Sequence, residues 1–433
     1  MKPRLLFAPT LAVLLLAFAV ACEGDGRPPT AGTPTPTAER AGAEVILPDR
    51  PAEGFGLTDP SFEALPGAQA LFGELGGTVY RIEMRDDWNG RLVLWAHGFR
   101  GLDPDLTVEP PPMRKDLIEN GYAWAASSYS ANGFAPFEGA HETAALHDFF
   151  IEEFGQPDYT YIVGGSMGGN VTLLSLELFP SRYDGALAAC SAVGLGEVDF
   201  IGHYVVLSAY AAGVTQDEFD SIESIAQLGE RILPTLQFNP EARALFESLV
   251  ATLIGGPRPF RHEGFQEFFL PNFLLAAEFG SLLLDAFDNT GFIYPGDPSR
   301  GVSAEEVNQE VVRIVGDPQV RNADPNLSDL TGAVPIPLLM IHTTGDGWVP
   351  ISGAQAFRRL AEATGNGDLL VQRAIRAPGH CDFSDQELIT AVEDVVDWVE
   401  NGVKAEGEDI LGPLQDVGLD FTDPLREGDP GGL

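Results

Sequence analysis

Residues 159–172, YTYIVGGSMGGNVT, run from an apolar stretch into a glycine-rich turn that holds a single serine. The first part is rich in aromatic and β-branched residues and is typical of a buried strand. The residues after the turn have the apolar spacing of a helix. A serine on a sharp turn between a strand and a helix has its hydroxyl exposed at the carboxyl edge of the sheet, so the pattern predicts Ser166 as a nucleophile.

The chain on both sides of this turn alternates between strand-like and helix-like segments. GTVYRIEM, RLVLWAHG, GYAWAASSYS and GALAACSAVG have the composition of strands, and ETAALHDFFIEEF has the period of a helix. Such alternation predicts an α/β fold with a mostly parallel central sheet flanked by helices. It stops between residues 195 and 333, where long apolar helical stretches follow each other, and it resumes at IPLLMIHTTGD.

We therefore expect a core formed by residues 61–194 and 334–402, with an inserted helical cap at 195–333. The cap stretch FQEFFLPNFLLAAEFGSLLLDAF contains charged residues and a proline, which argue against a membrane span. Residues 403–433 are rich in Gly, Asp and Pro and are expected to form an irregular tail.

The amino terminus has the pattern of a targeting segment. Residues 1–22 combine two early basic residues with an apolar stretch and small residues before Cys22, which indicates a signal peptide with Cys22 at the position of a lipobox cysteine. Residues 23–60 begin with a Pro-, Thr- and Gly-rich stretch and are expected to form a flexible tether. An extracytoplasmic location follows, either as a cell-surface lipoprotein anchored through Cys22 or as a secreted protein.

The composition excludes several function classes. Lys and Arg number 25 against 64 Asp and Glu, a net charge of −39 that would repel the phosphate backbone of a nucleic acid. The seven histidines form no HExxH pattern, and neither GxGxxG nor GxxxxGK[ST] occurs, so we expect no metal and no nucleotide cofactor.

Two residues further along can complete the chemistry of Ser166. His380 in RAPGHCDF and Asp346 in IHTTGDGWVP each follow a predicted strand, so both are expected at the carboxyl edge of the sheet with Ser166. A base that takes the serine proton and a carboxylate that orients the base are what this nucleophile requires. Asp382 and Asp385 are alternative carboxylates. Both are close to His380 in the sequence, and side chains of such near neighbours rarely face each other, so Asp346 is favoured. The N–H groups of Phe99, in WAHGFRG, and of Met167 are the expected oxyanion donors.

HGF, GGSMGG, TTGDGWVP and GHCDF together resemble the motifs of α/β-hydrolases in the neighbourhood of secreted esterases, tannases and feruloyl esterases. The resemblance covers residues 76–402. It implies an α/β-hydrolase fold and a serine ester hydrolase with Ser166, Asp346 and His380 at the matching positions.

The resemblance also points to a disulfide. Tannase-type enzymes carry a cysteine directly before the nucleophile, bonded to the cysteine after the catalytic histidine, whereas this chain has Gly165 there. Cys381 keeps its half of the pair, and Cys190 ends the strand after the nucleophile helix. Our hypothesis is a Cys190–Cys381 disulfide that fixes the histidine loop.

The sequence thus predicts hydrolysis of small-molecule or polymeric carboxylic esters with hydrophobic or aromatic groups, through an acyl-enzyme and without a cofactor. Two alternatives stay open: a prolyl-oligopeptidase-like serine peptidase, and a lipid-anchored binding protein on an inactive hydrolase scaffold.

Overall fold

An eight-stranded sheet forms the centre of the protein. The structure is a computed structural model that describes residues 42–193, 196–327 and 329–429, all within the unit Pro34–Leu433. The strands are β1 (Gly56–Leu57), β2 (Ala68–Leu75), β3 (Thr78–Arg85), β4 (Arg91–Ala96), β5 (Asp105–Leu106), β6 (Ala123–Ser127), β7 (Tyr159–Gly165), β8 (Gly185–Ala189), β9 (Leu338–Thr343) and β10 (Leu370–Ile375). The order across the large sheet is β10-β9-β8-β7-β4-β6-β3-β2, while β1 and β5 pair separately.

The sheet is parallel from β10 to β6 and becomes antiparallel at β3 and β2. Both faces of its central strands are buried, which explains their continuous apolar sequence. In β4, for example, Leu92 and Leu94 belong to one hydrophobic cluster and Val93 and Trp95 to another. The two-residue period of the strand thus divides one apolar run between two layers of helices.

Helices cover both faces of the sheet and also form the segment inserted between β8 and β9. They are α1 (Arg114–Glu119), α2 (Pro136–Phe154), α3 (Met167–Leu178), α4 (Gly196–Ala211), α5 (Gln216–Asp220), α6 (Ile225–Phe238), α7 (Pro240–Leu253), α8 (Arg261–Phe279), α9 (Ser281–Ala286), α10 (Ala304–Glu310), α11 (Pro318–Ala323), α12 (Ile351–Ala363) and α13 (Asp385–Asn401). Buried side chains of α2, α3 and α12 pack on the face of Leu92, and those of α1 and α13 pack on the face of Val93. The expected mostly parallel sheet flanked by helices is confirmed.

The interval between β8 and β9 contains the inserted helices. Its described residues form α4 to α11, turns, and one isolated β-bridge between Asp297 and Val302. These helices share a hydrophobic cluster of their own, in which the Tyr204 and Phe246 rings lie 4.7 Å apart. Within the part of the chain that the structure describes, no helix is both long enough and apolar enough to cross a membrane.

Two segments differ from the sequence-based expectation, and a third, the tail, is irregular as expected but packs on the core. Strand β2 was not predicted; it forms an antiparallel hairpin with β3, and its residues are exposed or half-buried, with none fully buried. Residues 42–60, within the expected tether, pack on the core through Ala43 and Val45, and the Ile46 N–H donates to His141 Nδ1 over 3.0 Å. The described tail, 403–429, has no helix or strand, yet Ile410, Leu414 and Val417 enter the core beside α12.

The parallel strands place several loops at one edge. The carboxyl ends of β4, β7, β8, β9 and β10 lie side by side because neighbouring strands run in the same direction. The loops that follow these strands therefore converge, as expected for the ligand-binding edge of an open parallel sheet.

Candidate active site

Ser166 stands on the turn between β7 and α3. Its backbone has φ 59° and ψ −126°, a region that costs a non-glycine residue of the order of 1–3 kcal/mol. The Ser166 N–H donates to the Ala189 carbonyl over 2.9 Å, and the Ser166 carbonyl accepts the N–H of Gly169 over 2.9 Å. Bonds on both sides hold the strained residue in place, with its hydroxyl facing a cavity.

The glycines around Ser166 allow three segments of backbone to meet. A Cβ on Gly164 would lie 2.7 Å from Thr172 Oγ1, and one on Gly168 would lie 2.8 Å from the His97 carbonyl oxygen. Both positions are too close for any larger residue. The glycines therefore let α3 start directly against β7 and the loop after β4.

His380 and Asp346 lie next to Ser166. His380 Nε2 is 2.8 Å from Ser166 Oγ, and His380 Nδ1 is 2.6 Å from Asp346 Oδ2. The three residues thus form a continuous hydrogen-bonded path, although Ser166 and His380 are 214 positions apart in the chain. The alternative carboxylates, Asp382 and Asp385, do not take the Nδ1 contact.

The Asp346 side chain is fully buried and held by the turn that follows β9. Its Oδ1 accepts the backbone N–H groups of Trp348 and Val349, each over 2.9 Å. His342, a second buried histidine, has Nε2 at 2.8 Å from the Val349 carbonyl and at 3.8 Å from Asp346 Oδ2. Burial lowers the pKa of His342, so it is a neutral core histidine.

The expected oxyanion donors line the same cavity. Phe99 and Met167 both face the space in front of Ser166. Met167 is the first residue of α3, where backbone N–H groups have no acceptor within the helix. The loop after β4 passes close by, because a Cβ on Gly98 would lie 3.2 Å from Ser166 Cβ.

A disulfide joins Cys190 to Cys381, with 5.3 Å between their Cα atoms. Cys190 follows β8, and Cys381 follows His380, so the bond ties the histidine loop to the sheet beside the nucleophile. Cys381 Sγ lies 3.5 Å from His380 Nε2. Among the described residues, Cys190, His380 and Cys381 form a cluster of side chains of the types that bind metals. Their two sulfurs, however, are bonded to each other.

The cavity in front of Ser166 has a volume of about 270 Å³ and is predominantly apolar. Six aromatic side chains supply much of its wall: Trp95, Phe99, Phe134, Phe279, Trp348 and Phe383. Leu275 and Phe279 come from α8, so the inserted helices contribute directly to this cavity. Among its described lining residues, His380 is the one ionisable group besides the disulfide-bonded cysteines.

Sequence reasoning missed the residues of α8 and its preceding loop that surround the histidine and aspartate. Phe268 stacks on Trp348 at 5.5 Å between ring centroids and meets the His380 ring edge-on at 6.4 Å. Glu267 lies beside Gly379, and burial, Asp382 and Asp346 raise the pKa of its carboxyl group. The apolar spacing of FQEFFLPNFLL gave a signal for a packed helix, but not for the surface against which it packs.

Several expectations fall outside the described residues. The signal peptide at 1–22, the lipidation of Cys22 and the tether residues 23–41 belong to this group.

Comparisons with known proteins agree with this architecture. Residues 75–227 match a family described as a tannase-like family of unknown function (DUF6351). The o-phthalyl amidase of Xanthobacter agilis is 22% identical over 397 residues, which cover 75% of this chain and 86% of the amidase. These matches agree with the strand order and the serine turn described above. The chain has the α/β-hydrolase fold.

Solved structures similar to this α/β-hydrolase include two from Aspergillus oryzae. An esterase is 14% identical, with a TM-score of 0.49, and the match covers 87% of this chain and 89% of the esterase. Feruloyl esterase B is 16% identical, with a TM-score of 0.44 and coverage of 76% and 79%. The hydrolase spans only 38% of the length of an acylaminoacyl peptidase from Pyrococcus horikoshii, which it matches at 12% identity and a TM-score of 0.38. At the level that the tannase-like family and the amidase support, the chain is an esterase- or amidase-like hydrolase.

Proposed function

We propose that this α/β-hydrolase is an exported serine enzyme that cleaves carboxylic esters through an acyl-enzyme intermediate. One observation carries the proposal: the hydrogen-bonded path from Asp346 through His380 to Ser166, with distances of 2.6 and 2.8 Å. Both distances are within the range that proton transfer requires. The path ends at a hydroxyl facing an apolar cavity.

In the first half of the reaction, Ser166 Oγ attacks the ester carbonyl while its proton passes to His380 Nε2. Asp346 holds the Nδ1–H of His380 and so selects the tautomer that leaves Nε2 free to accept a proton. The tetrahedral oxyanion is stabilised by the N–H groups of Met167 and Phe99. His380 then protonates the leaving alcohol, and the acyl group stays on Ser166.

In the second half, water replaces the alcohol. His380 takes a proton from this water, the resulting hydroxide attacks the acyl carbonyl, and collapse of the intermediate returns the proton to Ser166. The same donors stabilise the second oxyanion, so one site serves both steps.

The lining of the cavity supports a preference for uncharged aromatic or other hydrophobic acyl groups. Burial of aromatic surface between side chains such as Phe134, Phe279 and Trp348 is favourable. A free carboxylate on the same group would lose its hydration without finding a cation in the wall. Small-molecule and polymeric esters with such groups are the proposed substrates.

Export through the amino-terminal segment, with anchoring at Cys22, completes the proposal. The support is the pattern of residues 1–22 and the presence of a disulfide, since such bonds persist mainly in oxidising compartments. Radiolabelled palmitate incorporation into the protein, compared between wild type and Cys22→Ala, tests the anchor.

The catalytic assignment is tested with Ser166→Ala and a matched control, Ser175→Ala, which removes another buried hydroxyl nine residues further along the same helix. A fluorophosphonate probe and a series of 4-nitrophenyl esters are the reagents. We expect Ser166→Ala to lose labelling and about six orders of magnitude in turnover, as for other serine hydrolases, while Ser175→Ala keeps both. A wild-type protein that neither reacts with the probe nor cleaves any ester would instead support a binding role.

Amide hydrolysis is a second candidate because of the similarity to o-phthalyl amidase. An amine is a poorer leaving group than an alcohol and requires protonation by His380 as it departs. Paired ester and amide substrates with one acyl group distinguish the two activities by their kcat/KM values.

A further inference from the structure

Three of the contacts between the inserted cap and the turn Thr344–Gly347 are made with backbone atoms of the turn. Arg258 Nε donates to the Thr344 carbonyl over 2.6 Å, and Asn272 Nδ2 donates to the Gly347 carbonyl over 2.9 Å. Between them, Gly264 packs against the Gly345 backbone without room for a Cβ. One stretch of the cap, residues 258–272, therefore contacts the backbone both before and after Asp346.

Arg258 is an unusual residue for this position. It is 8% exposed, and its Nη1 donates to the Gly256 carbonyl over 3.0 Å. Its Nη2 has no hydrogen-bond partner among the described residues, and no described carboxylate lies within ion-pair distance of the guanidinium. A buried cation that binds only carbonyl groups is costly to maintain, so a methionine or leucine would be the simpler way to fill the space.

Asp346 is a carboxylate whose charge acts on this cation. Burial and the charge of Arg261 lower the pKa of Arg258 to about 10, whereas Asp346 acts in the opposite direction. Arg258 therefore remains charged at neutral pH. Its positive charge attracts the Asp346 carboxylate and repels a second positive charge on the imidazole that Asp346 holds.

We propose that Arg258 is a positioning residue of the hydrolase, which holds the Thr344–Gly347 turn and keeps the Asp346–His380 pair in its ionised-carboxylate, neutral-imidazole state. The inference rests on the proposed function, because it assigns His380 as the base. It also makes the inserted segment a part of the catalytic apparatus in addition to a wall of the cavity.

Other charged groups face the same pair and are held constant in the test. Glu267 and Asp382 lie near the His380 loop, where their negative charges favour a protonated imidazole. His342 lies 3.8 Å from Asp346 Oδ2 and is neutral because of its burial. Arg258 has the opposite charge to Glu267 and Asp382, and Arg426, whose Nη2 donates to the Asp382 carbonyl, is also left unchanged in the test.

The test separates charge from hydrogen bonding in the full-length protein. Arg258→Met removes both, Arg258→Gln keeps N–H donors without the charge, and Arg258→Lys keeps the charge. Arg261→Met is the matched control, since it removes a cation three residues away that has no hydrogen bond or ion pair with a described residue. For each variant, kcat/KM is measured from pH 4 to 9, normalised to the fraction of protein that reacts with a fluorophosphonate probe.

We expect the midpoint of the acid limb to follow the charge at residue 258. It moves to higher pH in Arg258→Met and Arg258→Gln, because an imidazole without a nearby cation takes up a proton more readily. It stays at the wild-type value in Arg258→Lys and Arg261→Met. The plateau of Arg258→Met falls about 10- to 100-fold, as expected when a reacting group is misplaced by up to about 1 Å.

Two results would overturn the inference. One is a set of charge-removing variants whose midpoints all equal that of the wild type, which reduces Arg258 to a structural role even if the plateau falls. The other is a shift in Arg261→Met as large as that in Arg258→Met. Should Arg258→Met not fold, Arg258→Gln carries the same comparison. A wild-type protein that lacks activity and labelling rejects the proposed function itself, a result that these variants do not produce.

Discussion

Gly264 offers the sharpest test of how the inserted helices support the site. It lies near the start of α8, and a Cβ built on it would be 2.7 Å from the Gly345 carbonyl carbon and 2.9 Å from the Pro378 carbonyl oxygen. Gly345 precedes Asp346, and Pro378 is two residues before His380. Gly264→Ala therefore pushes α8 against both loops at once.

The size of the effect follows from these distances. Non-bonded carbon atoms pack at about 3.5–4.0 Å, and the new Cβ would be closer still to the Gly345 carbonyl oxygen. The helix or the turn must therefore move by at least about 1 Å. A displacement of that size at a reacting group costs about 100-fold in rate. For the free energy of unfolding, a loss of about 1–3 kcal/mol from overpacking is partly offset by a gain of about 1 kcal/mol from replacing glycine in a helix. Activity should thus fall far more than stability.

The assay compares kcat/KM for a 4-nitrophenyl ester with the urea midpoint of unfolding. Gly229→Ala in α6 is the matched control, because its nearest contact for a new Cβ is Leu233 Cδ1 at 4.0 Å. That variant should gain about 0.5–1 kcal/mol and keep its activity. If Gly264→Ala keeps wild-type activity as well, the contact between α8 and the two loops does not hold the site.

Three further predictions concern the disulfide, the cavity and the buried acid Glu142. Replacing both Cys190 and Cys381 with alanine opens a bridge spanning 191 residues, for which loop entropy allows a loss of about 5 kcal/mol in the free energy of unfolding; equal urea midpoints with and without the bridge would contradict this. 4-Nitrophenyl benzoate should react at least about 100-fold faster than the analogue with a 4-carboxyl group on the benzoyl ring, since an unpaired carboxylate is costly to bury. Equal kcat/KM values would contradict this, because they would require a partner for the carboxylate in the cavity. Burial raises the pKa of Glu142 from 4.5 to about 8. Between these pH values the folded protein holds a proton that the unfolded chain has released, so the free energy of unfolding should fall as the pH rises. Glu142→Gln should flatten that dependence in urea titrations at pH 5 and 8.5, and an unchanged slope would remove Glu142 as its source.

The fold was largely accessible from the sequence because its central strands are buried on both faces. Such strands appear as short apolar runs, and the runs that become β4, β7 and β9 are all of this kind. Strand β2 was missed for the opposite reason: it lies at the edge of the sheet, has no fully buried residue and contains Gly73, so its composition carries little strand signal.

The three polar residues of the site were accessible for a topological reason. In a parallel sheet, a residue just after one strand is brought near residues just after the neighbouring strands. Ser166, Asp346 and His380 each occupy such a position, and the structure brings them into hydrogen-bonding contact. Their roles in catalysis remain predictions for the experiments above.

The contribution of the cap was not accessible. The contact between Arg258 and Thr344 joins residues 86 positions apart, and no local pattern in either segment encodes it. The tail shows the same limit: its irregular backbone was expected, but the buried pair of Arg376 with Asp429 depends on long-range packing. Periodicity describes which face of an element is apolar, not which partner covers it.

The bond between Cys190 and Cys381 also determines what happens when the polypeptide is cut. Any single cleavage between Cys190 and His380, including every site in the helices from α4 to α11, leaves Ser166 on one fragment and His380 on the other. The two fragments stay covalently joined directly beside the reacting groups. A protease-nicked molecule therefore migrates as one species until a reductant is added, and it can keep its nucleophile and base together after the backbone between them has been severed.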